Sequence, residues 1–291
     1  MYLFYHMATA IAEDWKQNFY RFCIAWALIL VNIGVQYIIE LRSHKSAPWE
    51  LKQIKSKVFI LFSEAALIGA AAAVYFFTGI TVVYIPVAVG SIATALSGQT
   101  TLLVPVDFGH LSERAMLYVV FTFGEMIIVV SSYFSGGLSA DNFYFSTMAF
   151  LIVAGLLIGY GTIYNRILDL EKTTTGTAYM MIHVFLIFAL NNISVALEFM
   201  RDDEISVLPK TLFLTGSFVL YFIFLFLMGF YAKKSCCFNK RLVLLLTVLL
   251  VSFAALMFVF REMMYVNIAI TVIYVFLIFI ILFIRAKRME A

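Results

Sequence analysis

Residues 242–260 read LVLLLTVLLVSFAALMFVF, nineteen positions without a charge and with only Thr247 and Ser252 polar. At 1.5 Å per residue such a run spans about 28 Å, close to the hydrocarbon thickness of a bilayer. The neighbouring run 264–284 repeats the pattern after the short polar break at Arg261-Glu262. Working outward from this pair, the same criterion gives nine spans: 20–39, 58–77, 80–97, 114–134, 143–165, 178–199, 211–231, 242–260 and 264–284. The third is short and holds Pro86 and Gly90, which suggests a kink. The sequence therefore predicts an all-α, polytopic integral membrane protein, one helical domain over 1–291, with the lipid bilayer as its main partner.

Composition points the same way. The 291 residues are 64% hydrophobic and 13% charged, against roughly 25% charged in soluble domains. That excludes a soluble globular protein, a disordered chain, a nucleic-acid binder and a disulfide scaffold; the three cysteines make no framework. Residues 1–12 lack the features of a cleavable signal peptide and read as the end of a helix whose beginning is missing.

Orientation follows from Lys and Arg near the span ends. With nine spans, 15 of the 20 basic residues fall on one side, in the segments 40–57, 166–177 and 232–241, in the C-terminal tail and at Arg114. The expectation is an outside N-terminus and a cytoplasmic C-terminus. No loop exceeds about 17 residues and no Walker A, GxGxxG or HExxH motif occurs, so a nucleotide-driven pump in this chain alone is not expected.

Ionisable and amide side chains inside a span cost free energy in hydrocarbon and mark candidate sites. The fourth span is the richest. Asp107 reads as a helix N-cap. His110, Arg114 and Glu125 fall within about 60° of one another on a helical projection, with Glu113 about 60° to the other side. Glu125 lies near mid-membrane, beside Gly124, which would let another backbone come close. The sixth span carries His183, Asn191, Ser194 and Glu198 along one face, and His183 could titrate near physiological pH. Asn32 and Gln36 neighbour each other on the first span. Glu64, six residues into the second, is the expected counter-ion for Arg114. Glu125, His183, Asn191, Asn32 and Gln36 are thus candidates for binding a solute or ion. His110, Glu113, Arg114 and Glu64 form a charge cluster with structural and functional readings both open. Spans one, two, four and six are expected to face one interior, because each group is too costly against lipid. The patterns Ala65, Gly69, Ala73 and Gly155, Gly159 read as close helix packing. No cofactor or metal is called for; His110 and His183 are the sole pair haem could use, and nothing else supports it.

The run HLSERAMLYVVFTFGEMI over 110–127 resembles the bacterial low temperature requirement A (LtrA) family, which carries His-Leu-x-Glu-Arg-x-Gly-Leu running into Leu-Gly-Glu-Ser within one helix. MMIHVFLIFALNNISVALE over 180–198 and KTLFLTG over 210–216 resemble the helices that follow, so the likeness covers roughly 20–260. Met116 and Met126 depart from the pattern, and the family's opening helix with Glu-Leu-Phe-Phe-Asp is not present, as though the chain begins two helices late. The resemblance implies a multi-helix protein of the bacterial inner membrane, linked by name to growth in the cold, and no established reaction.

Three functions remain in play. A secondary transporter or ion/proton-linked permease leads, because polar groups stand at mid-membrane depth without an energy-coupling domain. A membrane-embedded enzyme would use His110, Glu113 and Glu125, but lacks a nucleophile–base pair or metal triad. A non-catalytic scaffold or sensor in cold or stress adaptation is the third.

Overall fold

The structure is a computed structural model that describes residues 15–43, 48–100, 106–133, 139–201, 206–236 and 238–290. Nine α-helices account for most of them: α1 (Trp15–Ser43), α2 (Pro48–Thr78), α3 (Tyr84–Thr100), α4 (Phe108–Ser132), α5 (Ala140–Thr162), α6 (Thr177–Phe199), α7 (Val207–Leu227), α8 (Lys240–Val259) and α9 (Met264–Glu290). Eight are long and apolar enough to cross a membrane. The exception is α3, whose apolar part runs only from Tyr84 to Thr94. Pro86 falls in its first turn, where a missing backbone N–H breaks no helical bond, rather than at a mid-span kink. Large apolar side chains such as Phe77, Ile128 and Val259 stand exposed along the helices, as a lipid-facing surface requires.

The chain divides into two compact units, Met1–Val104 and Pro105–Ala291. In the first, α1 and α2 form a hairpin around Cys23, Ile68 and Ala72, closed by an edge-to-face contact of Phe19 with Tyr75 at 4.7 Å. The helix α3 joins them along α2, and the Glu64 carboxyl of α2 lies against Gly90 of α3, where a Cβ would have no room.

The second unit is a ring. Its principal helix contacts run α4–α6–α7–α8–α9–α5 and back to α4, and its core is one continuous apolar cluster. Asp107 caps α4 by accepting from the His110 backbone N–H at 3.0 Å, Ser139 caps α5, and Asn239 caps α8. Gly155 lets α9 approach α5: a Cβ there would sit 2.5 Å from Val275. Gly159 meets open space instead. At one end the tips of α5 and α7 are tied by the Leu168–Ala232 bridge, with Lys233 donating to the Ile167 carbonyl at 2.9 Å. Arg166, Lys172, Lys233, Lys234, Lys240, Arg241 and Arg285 gather at this basic end. At the far end, Arg201 covers the Tyr133 ring at 4.3 Å and donates to Asn142, while Tyr265 donates to Asp141.

Candidate functional site

The interior of the ring holds one histidine. His183 is 1% exposed, about 9 Å along α6 from its start at the basic end. Its Nδ1 lies 2.9 Å from the Tyr179 carbonyl one turn earlier, and its Nε2 lies 3.2 Å from the Tyr160 hydroxyl of α5. A carbonyl only accepts, so Nδ1 carries the hydrogen; in the neutral ring Nε2 then accepts from Tyr160. Helix α6 follows an N-cap at Gly176, whose φ of 72° suits glycine, and its first buried side chain is Tyr179. The Tyr179 ring sits 4.3 Å from the imidazole and meets Phe108 and Tyr231 edge-on. Across the ring, Tyr221 of α7 donates to the Leu156 carbonyl of α5 at 3.0 Å. The Tyr179 hydroxyl is buried with no partner among the described residues. Right after Tyr160, α5 widens into a π-helical turn at Ile163–Ile167, a form that occurs often at functional sites. Beyond it a surface cavity of about 350 Å³ opens at the basic end, lined by Lys172, Thr174, Ile182 and Tyr231 among others. The Lys172 ammonium stands 5.3 Å over the Tyr231 ring and donates to the Phe230 carbonyl.

Other residues singled out by sequence lie elsewhere. On α4 the buried face carries Phe108, Ser112, Ala115, Val119 and Met126, and His110, Arg114 and Glu125 occupy the opposite side. Arg114 is exposed and donates from Nε to His110 Nε2 at 3.0 Å; Glu113 is exposed and Glu125 half-buried. Gly124 is open, not a close-packing point. The stripe on α6 divides: His183 turns inward, while Asn191 and Glu198 are exposed. Asn32 and Gln36 are exposed on α1, opposite the face that buries Phe19 and Cys23. Glu64 is half-buried within the first unit, and its pairing with Arg114 stays an expectation. Among the described residues no three His, Cys, Asp or Glu side chains group as metal ligands.

The tyrosines around His183 were not anticipated. The spacing of Tyr160 with Tyr164 and of Tyr179 with His183, one turn apart on apolar helices, is the signal that would have found them.

A bundle of apolar helices with a polar centre and a lipid-facing exterior defines a multi-pass integral membrane protein. The family of bacterial low temperature requirement A proteins (LtrA) matches residues 1–279, and the chain belongs to that family. No curated protein and no solved structure matches it.

Proposed function

We propose that the protein is a secondary transporter or permease that passes a small solute through the ring of α4–α9, with His183 as its polar centre. The observation that carries this reading is the burial of an imidazole and three tyrosines inside a closed ring of membrane-length helices. Burying these groups away from water carries a desolvation cost that aliphatic side chains would avoid, which supports a functional reading. The cavity beside Tyr231 supplies an approach from the basic end, and the positive-inside bias supports a cytoplasmic position for that end. The bacterial inner membrane is the location the family implies. An imidazole that took up and released a proton during the cycle would allow coupling to a proton gradient. Glu125 and Asn191, with His110, Glu113 and Arg114, enter the proposal as polar groups on the outer faces of the second unit, and Asn32, Gln36 and Glu64 as polar groups of the first.

Purified protein in liposomes tests this. Light scattering after osmotic jumps with acetamide, glycerol or urea, and an enclosed pH dye, should report flux above that of empty vesicles. Flux equal to empty vesicles for every solute, with and without a pH gradient, would overturn the reading.

A further inference from the structure

The far end of the ring holds a second set of buried polar side chains, separate from His183. On α7 these are Thr211 and Thr215, 1% and 5% exposed; on α9 they are Asn267 and Thr271, both 0% exposed. Each pair is spaced i, i+4, so each shares one face of its helix.

Contacts to α8 fix which way the faces look. Thr211, Thr215 and Phe218 fall within an arc of about 60° on α7, and Phe218 meets Phe253 of α8 edge-on at 6.0 Å. On α9, Tyr274 bonds Ser252 of α8 and Thr271 touches Met257 of α8. Val275, at the other side of that face, packs on Gly155 of α5. Asn267 and Thr271 thus look between α8 and α5, into the ring.

The same contacts fix the heights. Thr271 stands level with Met257, whose sulfur its hydroxyl meets at 3.7 Å. Thr215 lies three residues toward the far end from Phe218, which is level with Phe253. At 1.5 Å per residue this puts Thr215 within about 2 Å of the height of Thr271. Thr211 and Asn267 lie one turn further out, about 6 Å in each case. The two pairs therefore form matching tiers on parallel helices.

Three of the four residues carry unmatched polar atoms; the exception is Thr271, whose hydroxyl donates to the Asn267 carbonyl at 2.9 Å. The hydroxyls of Thr211 and Thr215 and both amide atoms of Asn267 are buried with no hydrogen-bond partner among the described residues. Such groups are normally satisfied by water or a ligand. The set carries donors and acceptors and no charge. No Asp or Glu among the described residues of this unit is buried, and Lys210, the buried cation beside Thr211, disfavours a cation. Between this set and His183, Phe218 and Phe253 fill the ring with apolar surface.

We infer that Thr211, Thr215, Asn267 and Thr271 form a second, uncharged binding site at the far end of the ring. It takes the hydroxyl or amide groups of a small neutral solute, and the Phe218–Phe253 layer closes it off from His183. The same chemistry would hold water, so the test separates the two. That the solute is cargo rests on the transporter reading; occupancy is read in detergent, without flux, so either claim can fail alone.

The measurement is hydroxyl-radical footprinting of the full-length protein, in which X-ray radiolysis of bound water yields hydroxyl radicals that oxidise the nearest methionine. Met257 is fully buried beside Thr271; Met126 and Met228 are equally buried elsewhere, and Met263 is 54% exposed. Met257 should oxidise about tenfold faster than Met126 and Met228, because radicals form only where water is held. Adding acetamide or glycerol should lower the Met257 to Met263 ratio by displacing that water. Asn267→Leu should slow Met257 oxidation and raise Tm, because it removes amide atoms that no protein group satisfies. Oxidation of Met257 no faster than of Met126 and Met228 means a dry packing site and overturns the inference. A ratio that neither solute lowers means water alone and overturns the solute assignment.

Discussion

The two faces of α4 and the interior of the ring carry polar groups under opposite conditions. Turned away from the ring, α4 shows the ionisable side chains of His110 and Arg114, which are exposed, and of Glu125, which is half-buried. In the ring unit the buried polar groups are an imidazole, tyrosines, hydroxyls and one amide, with Lys210 the single buried cation among the described residues. The difference follows from the cost of burial: a formal charge in a low-dielectric interior needs a counter-charge and further hydrogen bonds, whereas a hydroxyl can bond within its own helix. Thr122, Thr162 and Ser217 do so, each donating to the carbonyl four residues earlier. Charge density therefore does not mark the interior of this protein; unmatched neutral groups do.

The contrast is broken most severely by emptying the interior. Phe253→Ala removes a fully buried ring from the layer beside Phe218 and should cost about 3–5 kcal/mol in a detergent melt or denaturant titration. Phe121→Ala, on the outer face of α4 at 60% exposure, should change stability by less than about 0.5 kcal/mol. Comparable losses from the two would erase the distinction. The α5–α9 seam comes next: Gly155→Val drives side-chain atoms into Val275 and Phe276 and should cost about 1–3 kcal/mol, seen as a lowered Tm. Asp107→Ala removes the cap of α4 and should cost about 1 kcal/mol, while Asp107→Asn, which keeps an acceptor, should stay near wild type. The smallest effect belongs to Arg114→Gln. It removes an exposed bond to His110 and should cost no more than about 1 kcal/mol. A loss of several kcal/mol there would show that the outer face of α4 is buried against a partner that pairs its charges.

Much of the fold was legible in the sequence because hydropathy is a sum over some twenty residues, and burial in lipid requires that sum whatever the packing. The helices, the Asp107 cap and the close approach at Gly155 all follow from local chemistry. The inward faces were not legible in the same way. In a soluble helix the polar stripe marks the outside; in a bilayer both lipid-facing and core-facing sides are apolar, so polarity alone cannot tell them apart. The stripe from His183 to Glu198 shows this: it crosses the boundary, with His183 inside and Asn191 and Glu198 outside. Thr211 with Thr215, and Asn267 with Thr271, carry the same i, i+4 spacing as Asn32 with Gln36. They attract less notice because threonine is common in membrane helices.

On the transporter proposal, function resides in the neutral interior around His183. Solute flux into liposomes measured side by side for wild type, His183→Leu and Glu125→Gln tests it most directly, with insertion and Tm checked for each. His183→Leu should lose about tenfold or more of the wild-type flux, while Glu125→Gln should keep most of it. Flux preserved in His183→Leu and lost in Glu125→Gln would contradict it and move the site to the outer face of α4.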